Sequence, residues 1–336
     1  MTDQNIRVGL IGGGYWGRNL ARNFQALGAL QAFCDAEPAQ VQMIQETYPE
    51  VACHADWQGL IAAGGLDAVA IATPPHTHFA IAQAALQAGL DVFVEKPICH
   101  SLAEAKALNA LAEAQGRVLM TGHLLQYHAV LAAMRSRVAE GGLGTVRHVE
   151  ARRLNIGKIY TERNVMWNFA PHDCSLVLAM FGDRLPAVVS AQGHCLLAED
   201  VCDMATITMR YSDGATVQIQ VSWISPVKEA RLLVYGSAGS AVFDDVKPWE
   251  EKLQWFDDYT GVIDGRQARG RLADPRFIAV EQGEPLRDEC QHFLDCCRSR
   301  SQALTSGREA ARVIAVLEAA QRSMDGGGGE QRVEAP

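Results

Sequence analysis

A glycine turn near the N-terminus constrains the fold more than any other feature of the chain. The apolar run RVGLI, residues 7–11, leads into the turn GGGYWG, and helical spacing then continues from Tyr15 to Leu27, ending at Gly28. A short apolar run that ends in glycines predicts a buried strand. A strand, a glycine turn and a helix in this order are typical of a dinucleotide-binding unit.

The glycines of the turn have separate roles in such a unit. Gly12 permits the tight turn, Gly14 lets the backbone approach a pyrophosphate, and Gly17 allows the helix to pack closely against the strand. The pyrophosphate is expected at the positive N-terminal end of the helix. The predicted cofactor contacts in this region are Gly12, Gly13, Gly14, Tyr15, Trp16, Gly17 and Asp35.

Asp35 predicts which dinucleotide binds. It ends the predicted second strand, near the spacing expected for an acid that bonds the adenosine ribose 2′-OH. A carboxylate there repels a 2′-phosphate, so the sequence favours NAD over NADP. A glycine-rich turn in an ordinary α/β protein is the alternative interpretation.

The ends of two later strands carry further candidates. Thr73 and Pro74 close the strand LDAVAIATP, and His78 follows either as a cap of the next helix or as a cofactor contact. The segment VFVEKP places Glu95 and Lys96 at the end of another strand, and both are predicted near the cofactor. An ammonium beside the nicotinamide can stabilise an alkoxide or polarise a carbonyl during hydride transfer. A surface lysine is the alternative.

The segment MWNFAPHDCSL, residues 166–176, provides the second set of catalytic candidates. Asn168 and His172 are four residues apart and share a face if they are helical, although the helix is expected to begin near Pro171. The ordinary imidazole pKa of about 6.5 makes His172 the best general base in the chain, and a buried structural histidine is the alternative. Trp167 packs against the nicotinamide or sugar, or in the core. Asp173 is a possible orienting partner for His172.

Basic and polar residues just before this segment form a candidate diphosphate site, because arginine makes bidentate contacts with phosphates. A solvated strand edge is the alternative. The predicted substrate contacts are Lys96, Arg153, Asn155, Tyr160, Arg163, Asn168 and His172.

Composition excludes several classes of protein. The net charge of −9 argues against a general nucleic-acid binder. No run approaches the roughly 20 apolar residues of a membrane span, and the N-terminus lacks the order of a signal peptide, so a cytoplasmic protein is expected. The nine cysteines are scattered without a Cys-x-x-Cys pair, which predicts reduced thiols and no metal site.

Strands alternate with helices up to Gly122, which predicts a doubly wound parallel sheet. Beyond it, strand-like runs joined by turns such as SDG and GSAG predict an antiparallel sheet, with helices at residues 129–139, 171–180, 284–298 and 307–324. We predict an NAD-binding domain at residues 1–122, a substrate-binding domain at 123–325 and a flexible tail at 326–336.

The segments IGGGYWG, IATPP and VEKP, in this order, resemble the Gfo/Idh/MocA oxidoreductases. The resemblance continues through GGLGTVRHVEAR and PLRDECQHFLDCC. It implies an α/β fold: an N-terminal Rossmann domain with a parallel sheet, and a C-terminal α+β domain with a large, mostly antiparallel open sheet. That sheet often forms the oligomer interface in the family, so a homodimer or homotetramer is expected. The resemblance also implies a cis bond between Lys96 and Pro97.

Family members often have Asp-x-x-x-His where this chain has Asn168 and His172. An amide does not exchange a proton at ordinary pH, so the resemblance leaves His172 and Lys96 to carry the proton chemistry. Asn168 can still bond the sugar.

GYWGRNLARNF and VMWNFAPHD resemble the nucleotide-sugar branch of the family. That likeness implies NAD-dependent oxidation of the 3-hydroxyl of UDP-N-acetylglucosamine, whose 3-keto product a partner transaminase aminates for lipid A or envelope glycans. UDP-N-acetylglucosaminuronate, inositol or a free sugar are alternative substrates. An NAD-binding sensor is the non-enzymatic alternative, and it would need neither Lys96 nor His172.

Overall fold

The computed structural model describes residues 5–160, 164–197, 199–257 and 274–336 of the chain. The chain divides into two compact units. The first contains Met1–Tyr127 and Glu284–Ile314 together with Pro336, and the second contains His128–Gly283 and Ala315–Ala335. Among the described residues, no helix combines the length and the apolar character needed to cross a membrane.

A six-stranded sheet with the order β3-β2-β1-β4-β5-β6 forms the centre of the first unit, and all its neighbouring strands run parallel. The central strands are buried on both faces, which explains their continuous apolar sequence. This confirms the predicted parallel sheet. The strands are β1 (Val8–Ile11), β2 (Leu30–Cys34), β3 (Ala52–His54), β4 (Ala68–Ile71), β5 (Asp91–Glu95) and β6 (Leu119–Gly122).

Local sequence signals start several helices of this unit. Pro38 occupies the first turn of its helix, and the Ser101 hydroxyl accepts the backbone N–H of Glu104 at 3.1 Å. The prediction missed β3 and α3, since β3 has three partly exposed residues and no readable periodicity. The helices are α1 (Tyr15–Ala26), α2 (Pro38–Thr47), α3 (Trp57–Ala62), α4 (His78–Gln87), α5 (Leu102–Ala114) and α8 (Pro285–Ser299).

The helix α8 packs into the core of the first unit although it lies far along the chain. Phe293 of α8 lies 5.7 Å from Phe93 of β5 and 6.4 Å from Phe24 of α1, measured between ring centroids. All three rings are fully buried. The first unit therefore takes in residues 284–314, which the sequence placed in the second domain, because long-range aromatic packing decides where this helix belongs.

A nine-stranded sheet with the order β14-β13-β12-β11-β7-β10-β9-β8-β15 forms the second unit. Among the described strands, β10 and β7 run parallel and every other neighbouring pair is antiparallel. This confirms the large, mostly antiparallel sheet. The strands are β7 (Val146–Ile156), β8 (Val188–His194), β9 (Met204–Arg210), β10 (Thr216–Ser222), β11 (Ile224–Gly236), β12 (Ser240–Asp244), β13 (Leu253–Phe256), β14 (Arg276–Phe277) and β15 (Gln331–Arg332).

In the described part of the second unit, three helices accompany this sheet: α6 (Ala129–Ala139), α7 (Val165–Met180) and, from Ala315 onward, α9 (Gly307–Asp325). The helix α7 packs on β7, β9 and β10, and eleven of its sixteen residues are buried. The strand β15 pairs with Val188 and Val189, so the predicted flexible tail contains an edge strand of the sheet.

Candidate active site

The strand order of the first unit reverses at β1, which pairs with β2 on one side and β4 on the other. Ligands of doubly wound sheets bind in the crevice outside the carboxyl ends of the strands at such a switch point. Because all six strands are parallel, the residues that follow them lie along one edge: the glycine turn, Asp35, Thr73, Lys96 and His123.

The glycine turn fits its predicted role by steric necessity. Gly12 has a φ of 103°, and a Cβ at this position would lie 2.7 Å from the carbonyl oxygen of Ala72. A Cβ at Gly17 would lie 2.0 Å from the carbonyl oxygen of Gly12, so α1 approaches the turn as closely as a backbone can. Gly14 differs, since a Cβ there would meet no protein atom within 4 Å. The turn therefore leaves open space at Gly14, as close approach of a pyrophosphate requires.

Asp35 is fixed beside this turn. One carboxylate oxygen accepts the backbone N–H of Gly13 at 2.5 Å, and the other accepts that of Glu37 at 2.7 Å. The side chain of Tyr15, by contrast, is 75% exposed, and its ring is tilted by 38° against that of Trp16 at 6.4 Å between centroids. Asp35 is thus held at the end of β2, where an adenosine ribose would lie in this fold.

Glu95 links the glycine-turn helix to the strand that carries Lys96. The indole N–H of Trp16 donates to one oxygen of Glu95, and the backbone N–H of Lys96 donates to the other at 3.2 Å. Burial raises the pKa of Glu95 to about 7, although Lys96 and Trp16 both oppose the shift. The peptide bond between Lys96 and Pro97 is cis, as the resemblance implies.

His78 connects the ends of two neighbouring strands. Its side chain has no exposed surface, and its two ring nitrogens lie 2.8 Å from the carbonyl oxygen of Pro97 and 2.9 Å from that of Thr73. It is the first residue of α4 and joins the ends of β4 and β5. Thr77, and not His78, is the N-cap of α4, so the capping alternative is wrong, whereas the cofactor contact of His78 stays a prediction. The Thr73 hydroxyl lies 2.6 Å from that of Thr77.

His123 and Glu289 are buried ionisable residues of the first unit that the sequence analysis did not select. His123 follows β6 as Lys96 follows β5, and its Nε2 lies 3.6 Å from a carboxylate oxygen of Glu309. Burial lowers the pKa of His123, Glu309 opposes this shift, and the charge of Lys96 adds to it. His123 had a readable signal, since it is a polar residue directly after a strand of the parallel sheet.

Glu289 on α8 had no such signal. It is fully buried, and neither carboxylate oxygen has a hydrogen-bond partner in the part of the chain that the structure describes. Burial and then the charge of Glu95 raise the pKa of Glu289 well above its usual range.

The second unit places Asn168 and His172 on one face of α7. The helix begins at Val165 rather than near Pro171, because the side chain of Asn164 caps it by accepting the backbone N–H of Trp167 at 3.1 Å. Pro171 lies inside the helix, where it has no N–H to donate. Asn168 and His172 are therefore one turn apart, and both are half-buried.

Trp167 and Arg153 are tied to partners within the second unit. The indole N–H of Trp167 donates to the side-chain oxygen of Gln321 at 2.9 Å. Arg153 donates two parallel hydrogen bonds, 2.8 and 2.9 Å long, to the buried carboxylate of Asp173. Burial alone would lower the pKa of Arg153, but the charge of Asp173, its hydrogen bonds with Arg153 and the charge of Asp245 together outweigh burial, and the pKa is raised.

This ion pair gives both side chains a partner within the second unit. Arg153 uses its bidentate geometry on Asp173, and its contact with a substrate diphosphate stays a prediction. Asp173 accepts from Arg153, and its role in orienting His172 stays a prediction as well.

The remaining predicted substrate contacts differ in how their polar groups are engaged. The side-chain oxygen of Asn155 is buried, and it has no hydrogen-bond partner among the described residues. The ring of Tyr160 lies 6.0 Å from that of Trp223, and the Lys158 ammonium lies 5.1 Å from the Tyr160 centroid. Arg163 lies outside the residues that the structure describes. Among the described residues, no group of His, Cys, Asp or Glu side chains could hold a metal ion.

Comparison with known proteins agrees with this geometry. Residues 6–123 match the family model described as "Oxidoreductase family, NAD-binding Rossmann fold", and residues 131–242 match the "GFO/IDH/MocA C-terminal domain". The chain is 31% identical to UDP-N-acetylglucosamine 3-dehydrogenase of Acidithiobacillus ferrooxidans, over 93% of this chain and 95% of that protein. It is 26% identical to D-apiose dehydrogenase of Paraburkholderia graminis, over 95% and 87% of the two chains.

A solved structure of the Acidithiobacillus ferrooxidans enzyme superposes with a TM-score of 0.83 at 26% identity, covering 96% of this chain and 98% of that one. The glycine turn, the open space at Gly14 and the fixed carboxylate of Asp35 are the features that an NAD-binding Rossmann domain requires. The segment that matches the Rossmann model contains the parallel sheet, and the segment that matches the C-terminal model contains much of the nine-stranded sheet. The chain therefore belongs to the Gfo/Idh/MocA family of NAD-dependent oxidoreductases.

Proposed function

We propose that this protein oxidises the 3-hydroxyl of UDP-N-acetylglucosamine to the 3-keto sugar, with NAD⁺ as the oxidant. The observation that carries the proposal is the position of Lys96, which follows β5 along the sheet edge that holds the glycine turn. The choice of sugar rests on the 31% identity, over nearly the whole chain, to an enzyme of that name.

In the proposed reaction, His172 accepts the proton of the C3 hydroxyl, and the Lys96 ammonium stabilises the negative charge that develops on the same oxygen. Bound NAD⁺ supplies the acceptor for the hydride that leaves C3. A positioned general base typically contributes about 10²–10⁴ in rate, so loss of either side chain is expected to remove most of the turnover.

Other residues bind the substrate or orient the catalytic side chains. Asn168 hydrogen-bonds the sugar from the position one turn before His172. Asn155 accepts an N–H or O–H of the substrate, which would satisfy its buried side-chain oxygen. Tyr160 offers an aromatic face and a hydroxyl. Glu95 and Trp16 hold the Lys96 segment against α1.

The first experiment mixes the enzyme with NAD⁺ and UDP-N-acetylglucosamine and follows NADH, with a transaminase and its amino donor added to draw an unfavourable equilibrium forward. Lys96→Met and His172→Asn are each expected to lower kcat at least about 100-fold while NAD binding stays within a factor of two. Lys106→Met and His194→Asn are the matched controls, since both side chains are exposed. If Lys96→Met or His172→Asn keeps near wild-type turnover, the role assigned to that residue is wrong.

Parallel assays compare other substrates. UDP-N-acetylglucosaminuronate, D-apiose and myo-inositol replace the leading substrate, and the similarity to D-apiose dehydrogenase is the reason to include a free sugar. A kcat/KM that is higher for any of them than for UDP-N-acetylglucosamine would reassign the substrate. Tight NAD binding without hydride transfer to any of the four would favour a sensor.

The proposed biosynthetic role follows from the chemistry of the 3-keto product. A 3-keto sugar nucleotide is a substrate for a transaminase, and the resulting amino sugar would enter lipid A or envelope glycan synthesis in the cytoplasm. A homodimer or homotetramer is proposed, with size-exclusion chromatography and light scattering of the purified chain as the test. A single monomer peak at micromolar concentration would reject it.

A further inference from the structure

Two thiols of the second unit lie in direct contact. Cys195 directly follows β8 and Cys202 lies just before β9, so both belong to the connection between two neighbouring antiparallel strands. Their sulfur atoms are 2.9 Å apart. A disulfide bond requires about 2.05 Å, so only a small side-chain movement separates the two free thiols from a bond.

The surrounding backbone holds this pair in place. One carboxylate oxygen of Asp203 accepts the backbone N–H groups of Leu196 and Leu197, each at 2.8 Å. The other oxygen accepts the indole N–H of the fully buried Trp223 at 2.9 Å. The backbone N–H of Asp203 donates to the carbonyl of His194 at 2.9 Å. These bonds fix both ends of the connection, so the thiols are brought together by the fold and not by their own attraction.

Cys195 also differs from the other cysteines of the chain in its access to solvent. Cys195 is exposed and Cys202 is half-buried. The remaining seven are buried, apart from Cys53, which is half-buried on β3 of the first unit. A dissolved oxidant can therefore reach Cys195, whereas the core thiols are shielded.

We propose that Cys195 and Cys202 form a reversible intramolecular disulfide by exchange with a glutathione-type disulfide. The thiolate of Cys195 attacks one sulfur of the small disulfide, forms a mixed disulfide and releases one thiol. Cys202 then loses its proton, attacks the sulfur of Cys195 and releases the second thiol. Two protein thiols are oxidised, one small disulfide is reduced to two thiols, and no other reactant is needed.

The order of attack follows from the environment of each thiol. Burial and then the contact with Cys195 raise the pKa of Cys202 to about 12, so Cys202 is a poor first nucleophile. Formation of the mixed disulfide removes the Cys195 thiol as a source of that shift. Cys195, which is exposed, is the thiol that begins the exchange.

The disulfide bond would stiffen a contact with α7, the helix of the second unit that begins at Val165. The carbonyl of Cys202 accepts the backbone N–H of Val165, the first residue of α7, at 3.0 Å. The same helix carries His172. A disulfide closes a short loop and restricts the unfolded chain, so we expect the oxidised protein to melt roughly 5 °C above the reduced protein. This inference does not depend on which sugar the enzyme oxidises.

The test incubates the purified full-length protein in buffers with increasing ratios of oxidised to reduced glutathione, blocks the remaining thiols by alkylation and maps the peptides by mass spectrometry. The expected result is a peptide cross-link between Cys195 and Cys202 that excess reduced glutathione reverses. Cys202→Ser should instead accumulate a glutathione adduct on Cys195, and Cys53→Ser, the matched control, should oxidise like the wild type.

Several outcomes would overturn the proposal. They are full alkylation of both cysteines in the wild type at every ratio, a stable glutathione adduct on wild-type Cys195, or a cross-link that joins either cysteine to another residue. Thermal melting adds an independent readout, since the rise on oxidation must be absent in Cys195→Ser. If that variant folds poorly, the wild-type peptide map alone decides the question.

Discussion

Replacing Gly14 by alanine is expected to separate cofactor binding from folding. Gly14 precedes α1 with φ −58° and ψ −176°, a backbone conformation that alanine also adopts. A Cβ there would have no protein atom within 4 Å, so the folded protein accommodates it without strain. We expect the melting temperature of Gly14→Ala to stay at or slightly above the wild-type value, because alanine restricts the unfolded chain more than glycine does.

Gly14→Ala is expected to lower the affinity of the protein for NAD. A pyrophosphate oxygen that accepts a backbone N–H of this turn lies about 2.9 Å from the nitrogen, and a methyl group in the open space prevents that approach. A hydrogen bond to a charged group contributes about 1.5–3 kcal/mol, so the loss of one such bond weakens NAD binding roughly 10- to 150-fold. Isothermal titration calorimetry with NAD⁺ measures the change directly.

Two comparison variants make the experiment decisive. Gly329→Ala is the matched control, because a Cβ at Gly329 also meets no atom within 4 Å and the residue lies in the second unit. Gly17→Ala is the opposite case, since its Cβ would lie 2.0 Å from the Gly12 carbonyl oxygen and is expected to lower both stability and NAD affinity. Unchanged NAD affinity in Gly14→Ala would refute the placement of the pyrophosphate. If Gly14→Ala melted at a temperature as low as that of Gly17→Ala, the conclusion that the protein has open space at Gly14 would be refuted.

Three further substitutions test the buried polar groups. Because burial raises the pKa of Glu95 to about 7, the folded state holds its proton more tightly than the unfolded state, and the free energy of unfolding is expected to fall by about 3 kcal/mol as the pH rises from about 4.5 to 7. Urea titrations across that range should show a flatter profile for Glu95→Gln, and an unchanged profile would contradict the raised pKa. Arg153→Met leaves the buried Asp173 carboxylate without its partner and should lower the unfolding free energy by about 3–5 kcal/mol, most of which the double variant with Asp173→Leu should restore. Asp203→Ala removes the acceptor of the buried Trp223 indole and should cost at least about 1–3 kcal/mol by fluorescence-monitored denaturation, whereas a wild-type midpoint would show that the bond contributes nothing.

The architecture was readable from the sequence because its signals are local. Buried parallel strands appear as short apolar runs, and amphipathic helices follow them at regular intervals. The glycine turn was predicted residue by residue, since each glycine answers a steric requirement set by its immediate neighbours. The helix α6 was predicted with its observed bounds, whereas the start of α7 was missed because Pro171 looked like a helix start and lies inside the helix.

The candidate site was only partly readable. The sequence selected Lys96 because a charged residue directly after an apolar strand lies at the carboxyl edge of a parallel sheet. It could not show that Trp16 and the backbone of Lys96 both bond Glu95, since that contact joins residues from different elements. The same limit hid Glu289, which comes from a helix near the far end of the chain.

What the sequence determined by itself was the alternation of strands and helices in the first unit, apart from β3 and α3, and the glycine turn, because hydrophobic periodicity and backbone sterics act between near neighbours. Only the tertiary structure decided which partner each polar group takes. Arg153 was chemically suited to a phosphate, but it is bound to Asp173 because the packing of α7 against β7 brings the two together. Cys195 and Cys202 looked like ordinary scattered thiols until the pairing of β8 with β9 placed their sulfur atoms in contact. Buried polar groups must find partners wherever the fold puts them, and that choice is made by long-range packing.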